Sequence, residues 1–70
     1  MKGVEAAYNL LLELLESDDE DLASTAGLGL GFFGDKRAKE RLLEKREQMS
    51  GEYRLRLDLA VSLLEEGSGT

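Results

Sequence analysis

The sequence predicts an all-α fold of four antiparallel helices forming two αα-hairpin repeats, and three observations carry that expectation. Proline and isoleucine are absent and leucine supplies 15 of 70 residues, while the β-branched residues are only Val4, Thr25, Val61 and Thr70; that is a helix-forming composition. Apolar residues recur every three to four positions in four segments. The chain also matches itself at an offset of 31 residues, a period typical of stacked two-helix repeats.

The first helix is expected from about Gly3 to Glu16, with Val4, Ala7 or Tyr8, Leu11, and Leu14 or Leu15 on its inner face. Ser17 and the acids that follow end it and start the next, because carboxylates at a helix N-terminus meet its exposed N–H groups and positive dipole end. The second helix is expected from about Asp19 to Phe33, with Leu22, Ala26, Gly29 or Leu30, and Phe33 as its stripe and Gly34 as its stop. Asp35 caps a third helix, Lys36 to about Met49, whose apolar face is thin: Ala38, Leu42, Leu43 and Met49. So thin a face places this helix outermost. Ser50 and Gly51 break the chain, and Tyr53, Leu57, Ala60 or Val61, and Leu64 form a fourth stripe ending before Gly67. The run Tyr53 to Val61 also alternates as a strand would, but it has no partner strand, and an isolated strand is not stable. The expected core is Ala7, Leu11, Leu14, Leu22, Ala26, Leu30, Phe33, Leu42, Leu57, Val61 and Leu64. Residues 1–66 make one helical-repeat domain, and the tail 67–70, Gly-Ser-Gly-Thr, reads as disordered.

At the offset of 31, Gly3 falls on Gly34, Ala7 on Ala38, Leu11 and Leu12 on Leu42 and Leu43, Glu13 on Glu44, and Glu16 on Glu47. Leu22, Ala26, Leu30 and Phe33 fall on Tyr53, Leu57, Val61 and Leu64, so the inner positions stay apolar. Leu22, Ala26, Gly29-Leu30 and Phe33-Gly34-Asp35, followed by Ala38 and Leu42-Leu43, with Tyr53-Arg54 opening the next unit, resemble the frame of a HEAT-type repeat, as in phycobilin-lyase-like proteins. The run Gly27 to Gly34 is similar to the glycine-rich helix of the repeats in large proteasome regulatory subunits. The resemblance covers most of residues 3–66, about two repeats. Ala23 stands where the frame has Arg, and Glu65-Glu66 replace its second Gly-Asp turn. It implies a short helical solenoid that binds other proteins.

Composition narrows the chemistry. With neither cysteine nor histidine, disulfides, the usual zinc sites, thiol nucleophiles and histidine-based acid–base catalysis are excluded. No apolar run approaches the roughly 20 residues of a membrane span, which fits a cytoplasmic protein without membrane attachment. The net charge of -6 is unevenly spread: residues 1–35 carry Lys2 against eight acids, and residues 36–56 carry eight bases against four. The basic stretch reads first as a charged solvated face able to form ion pairs, and second as a surface for an acidic partner.

Gly29, Gly31 and Gly34 spell G-x-G-x-x-G, but the fingerprint of a dinucleotide site needs a strand before its turn, and the residues before these glycines have a helical pattern. Read helically, Ala23, Gly27 and Gly31 share one face that admits a close neighbour. Ala23, Gly27 and Phe33 also fit a helix-turn-helix, yet the following residues offer nothing to read a base edge. The Asp18 to Asp21 run lacks calcium-loop spacing and reads as capping. No catalytic residue and no cofactor are assigned. The expected function is a non-enzymatic protein-interaction module; an acidic inhibitor or nucleic-acid mimic, and a helix-turn-helix DNA-binding protein, are the alternatives. Its expected contact residues are Ala23, Gly27 and Gly31, the basic Lys36, Arg37, Arg41 and Lys45, and Leu55 and Leu59. Leu55, Leu59 and Leu63, with the many leucines of the first helix, make both terminal helices two-sided, which predicts a homodimer or docking to a larger helical protein.

Overall fold

The computed structural model describes residues 2–67. It is all-α, with four helices: α1 (Lys2–Leu15), α2 (Glu20–Phe33), α3 (Lys39–Glu47), preceded by a 3-10 turn over Lys36–Ala38, and α4 (Gly51–Gly67). The stretch 53–61, with its strand-like alternation, lies inside α4. The third helix ends at Glu47, two residues short of the expectation, and Gly67 closes α4. The remainder of the expected tail, 68–70, lies outside the described residues.

Local chemistry fixes the helix ends as the sequence suggests. Asp19 sits in extended backbone and its side chain accepts from the N–H groups of Asp21 and Leu22, satisfying two of the donors that a helix start leaves free. Gly34 ends α2 at φ 85°, and its N–H donates to the Leu30 carbonyl; a side chain is strained at that φ, so glycine belongs there. Asp35 then accepts from Arg37 N–H and opens the 3-10 turn.

The helices form two layers. Residue numbers fall on α1 as they rise on α2, with Tyr8 beside Phe33 and Leu11 beneath Gly29, so this pair is antiparallel. The pairs Lys39–Glu65 and Arg46–Asp58 show the same for α3 and α4. Between α2 and α4 the numbers rise together: Arg56 bonds to Ser24, Leu57 meets Gly27 and Ala60 meets Gly31. Thus α2 and α4 lie side by side in the same direction, each backed by its hairpin partner, α1 or α3. The smallest extent of the Cα trace is 15 Å, as expected for two layers with axes about 10 Å apart and a backbone radius near 2.3 Å.

Gly27 lies where the elements converge. A Cβ there would stand 2.2 Å from Leu57 Cδ2, 3.2 Å from Leu42 Cδ2 and 3.3 Å from Leu15 Cδ1, so the absent side chain leaves room for one leucine from each of the other three helices. All three are fully buried. One turn on, a Cβ at Gly31 would lie 2.6 Å from Ala60 Cα, so α4 crosses directly against the backbone of α2. Ser24, also fully buried, donates to the Asp21 carbonyl and accepts from Arg56, leaving its hydroxyl satisfied.

Of the expected core, Ala26, Leu30, Leu42, Leu57, Val61 and Leu64 are buried. Ala7 and Leu22 are exposed instead, and Leu11, Leu14 and Phe33 are half-buried. On α1 the inward line passes through Tyr8 and Leu15, the other members of the two pairs, because this helix must face both α2 and α3. Leu22 sits in the first turn of α2, at the edge of the bundle. Ala23, Ala38, Met49 and Ala60 complete the buried set. Helix α3 packs chiefly on α4 and buries only Leu42 of its own residues, with Ala38 of the preceding turn, as its thin apolar face predicts for a helix at the edge of the bundle.

Two predictions follow from the glycines and the cap. Gly31→Ala should destabilise by about 1–3 kcal/mol, because Ala60 backbone cannot yield without moving α4 and overpacking outweighs the helix propensity gained. Gly29→Ala, whose nearest neighbour is the mobile Leu11 Cδ2 at 3.3 Å, should be neutral or stabilising by up to about 1 kcal/mol. Urea melts of both variants decide; equal effects would refute the close crossing. Separately, hydrogen bonds from the Arg37 side chain, then from its backbone N–H, hold the Asp35 carboxyl below its ordinary 3.8. A carboxylate with a depressed folded pKa stabilises above its unfolded value, and that stabilisation is lost as pH falls through the folded value. Between about pH 5 and pH 2.5, Asp35→Asn, which keeps a capping oxygen, should therefore lose less stability than the parent. Identical losses in urea melts would show that this carboxylate contributes none of the acid sensitivity.

Candidate interaction surface

The small-residue face of α2 is covered by the chain's own α4. Ala23 is fully buried, and Gly27 and Gly31 are buried too, so these three expected contact residues do not form an open surface; they seat Leu57 and Ala60. Helix α2 runs unbroken from Glu20 to Phe33. Gly27 therefore makes no turn of the helix-turn-helix kind, and Gly29, Gly31 and Gly34 form a helix interior and its cap in place of a phosphate-binding loop.

The basic stretch is held largely by acids of neighbouring helices. Arg37 bonds to Asp35 and to Glu5 of α1 and lies over the Tyr8 ring at 4.4 Å. Asp35 and then Glu5 raise its pKa further above the ordinary arginine value. Arg41 and Lys45 both reach Glu16 at the end of α1, at 4.0 and 3.4 Å. Lys39 pairs with Glu65 and Arg46 with Asp58, both on α4. Lys36 is exposed. Most of the positive charge thus ties α3 to α1 and α4. Such exposed pairs contribute little each, about 0–1 kcal/mol, but together they bind α3 laterally.

Leu55 and Leu59 are, as expected, on the outside, at 66% and 50% exposure, and they do not stand alone. Gly27 and Gly31 mark the side of α2 that touches α4; Leu28 and Phe32 each lie one residue further, about 100° around the helix. Ala60 marks the side of α4 that touches α2, and Leu59 lies one residue earlier, about 100° back. Because the two helices run in the same direction, a forward step on one and a backward step on the other point to the same side, away from the second layer. Leu63 and Leu55 flank Leu59 on that side. Phe32 is 71% exposed, while Leu28 and Leu63 are half-buried at the seam. The α2/α4 layer therefore carries a continuous apolar strip on its outer face. Asp21, bonded to Arg56, and Glu52 lie at one end of it and Glu66 at the other.

Sequence reasoning missed Phe32 and Leu28. The signal was present: the offset of 31 carries Leu28 onto Leu59 and Phe32 onto Leu63, so the strip repeats with the hairpins. Three other large apolar side chains are exposed singly: Val4 at the start of α1 (49%), Leu10 on its outer side (54%) and Leu22 in the first turn of α2 (43%).

Open hollows lie elsewhere on the surface of the described residues. One, about 460 Å³, is bordered by Leu43, Glu44, Glu47 and Gln48; a second, about 300 Å³, by Ser17, Asp18, Glu20, Lys45, Gln48 and Met49. Lys45 in the second is engaged by Glu16 and Gln48. Among the described residues no three carboxylates gather as metal ligands, and no helix is long and apolar enough to cross a membrane. No family model, no curated protein and no solved structure matches this chain.

Proposed function

We propose that this chain is a non-enzymatic protein-interaction module made of two HEAT-like helical hairpins, which binds through the outer face of its α2/α4 layer. The observation that carries this reading is the strip of Leu28, Phe32, Leu55, Leu59 and Leu63, with Phe32, Leu55 and Leu59 half or more exposed. Water contact with large apolar side chains is unfavourable by about 25 cal/mol per Å², and contiguous patches of this kind mark contact sites. The fold itself does not require them there, since polar helix formers would suit an outward position as well.

A second contact area is favoured by Leu10, 54% exposed on the side of α1 turned away from Tyr8 and Leu15. That is where a preceding hairpin of a solenoid would stack, because repeat proteins bury their cores between neighbours. A further helical partner, or another copy, fits this end.

Chemical crosslinking and capture from an extract should return the same proteins repeatedly with the parent chain and lose them with the double variant Leu55→Glu, Leu59→Glu, while circular dichroism of the two chains stays the same. Capture unaffected by the double variant, or turnover of any substrate traced to the chain, would overturn the reading. For the α1 end, sedimentation at micromolar concentration should show association that Leu10→Glu removes; a monomer at all concentrations would withdraw that second contact.

A further inference from the structure

We infer that the occupant of the α2/α4 strip is a basic amphipathic helix, one whose apolar face is flanked by lysine or arginine. This rests on the proposed interaction function and adds to it the chemistry of the partner. Shape points to a helix. The strip is a seam between two helices that run side by side, with Leu28 and Leu63 half-buried along the seam and Phe32 and Leu59 standing on its two sides. From Leu55 to Leu63 the strip covers eight residue steps, about 12 Å of helix. That length takes apolar anchors at i, i+4 and i+7 of an incoming helix, the spacing of helix-in-groove recognition.

Charge gives the sign of the partner. At one end of the strip two acids, Asp21 and Glu52, face the single Arg56, and at the other end stands Glu66. Both ends of the strip are therefore acidic. Six of the nine basic residues lie on α3 or on the 3-10 turn before it, where Glu5, Glu16, Asp58 and Glu65 hold Arg37, Lys39, Arg41, Lys45 and Arg46. A second copy on this face would bring acid against acid, on chains of net charge -6 each, which opposes pairing. Cationic side chains on either flank of an incoming helix would meet Glu52 and Glu66 with the favourable sign.

The test uses two synthetic helices of about 18 residues, long enough to hold helical structure, with identical leucine faces and either lysine or glutamate on the remaining positions. Fluorescence titration of the whole chain should give saturable, salt-weakened binding of the Leu/Lys helix and at least about tenfold weaker binding of the Leu/Glu helix. The diagnostic variant is Leu59→Glu, which adds an acid. Attraction by charge alone would then strengthen, whereas docking in the strip predicts at least about a tenfold loss for the Leu/Lys helix. Phe32→Glu, at the most exposed of these positions, should do the same with the helical spectrum unchanged, and Glu52→Lys should weaken the Leu/Lys helix. Tighter Leu/Lys binding by Leu59→Glu would overturn the inference. Equal affinity for both helices, lost in Leu59→Glu, would overturn the basic partner and leave the interaction function standing. If neither helix bound the parent chain and the extract captures were likewise unaffected by substitution, both readings would fall. Self-association abolished by Leu59→Glu would replace the partner helix by a second copy.

Discussion

The absence of a side chain at Gly27 is the constraint on which the rest of the structure depends. Leu15, Leu42 and Leu57 arrive there from three different helices, and each approaches the position a Cβ would occupy to 3.3 Å or less. A chain of this size buries only roughly 60% of its unfolded surface, so a point where one leucine from each of three helices meets the fourth does much of the work of a core. Four residues further on, Gly31 lets Ala60 backbone approach α2 directly. Together the two glycines set which side of α2 faces α4. The helix propensity they sacrifice, about 1 kcal/mol each, is outweighed by full burial of three leucines, at roughly 1.5–3 kcal/mol apiece.

The charge asymmetry along the sequence is explained by the second layer. Helix α1 ends in acid and α3 is rich in base, and the two lie side by side, so Glu5 and Glu16 meet Arg37, Arg41 and Lys45. Each pair is solvent-exposed and weak. Burial of Ala38, Leu42 and Met49 holds α3 in place, while the pairs discriminate among the lateral positions it could take. Arg37 has a further role, since it covers the Tyr8 ring, which in turn lies 6.0 Å from Phe33. Closing that corner with a cation over an aromatic face lets the tyrosine be buried next to a charge.

Helix number, type and most boundaries were legible in the sequence because they depend on local chemistry: Asp19 and Asp35 cap, and Gly34 stops. The offset of 31 places Leu57 on Ala26 and Val61 on Leu30, and all four are buried. What failed was angular position. The inner line of α1 passes through Tyr8 and Leu15 where Ala7 and Leu14 were expected, and a leucine-rich helix reads almost the same in either phase. The same ambiguity hid the strip. Ala23, Gly27 and Gly31 looked like a candidate surface because small residues suit any close neighbour, and only the position of α4 decides that the neighbour is internal. Once that side is assigned, Leu28 and Phe32 must point out.

That last step separates what the fold requires from what it does not. Packing α4 on Gly27 and Gly31 dictates that residues 28 and 32 face outward, and the parallel course of α4 dictates the same for 55, 59 and 63. It says nothing about their identity. Glutamate, lysine or glutamine would be equally helical there and would favour solubility, as they do at Glu44 and Glu47 on α3. Yet the outward positions are apolar in both hairpins, Leu28 matching Leu59 and Phe32 matching Leu63 at the repeat offset. Inner positions repeat because a core must be filled, and Leu28 and Leu63 share that reason in part, being half-buried at the seam; Phe32, Leu55 and Leu59 do not. Exposure of Phe32, Leu55 and Leu59 is thus the part of the strip that packing leaves unexplained, and it is on those three side chains that the proposed contact rests.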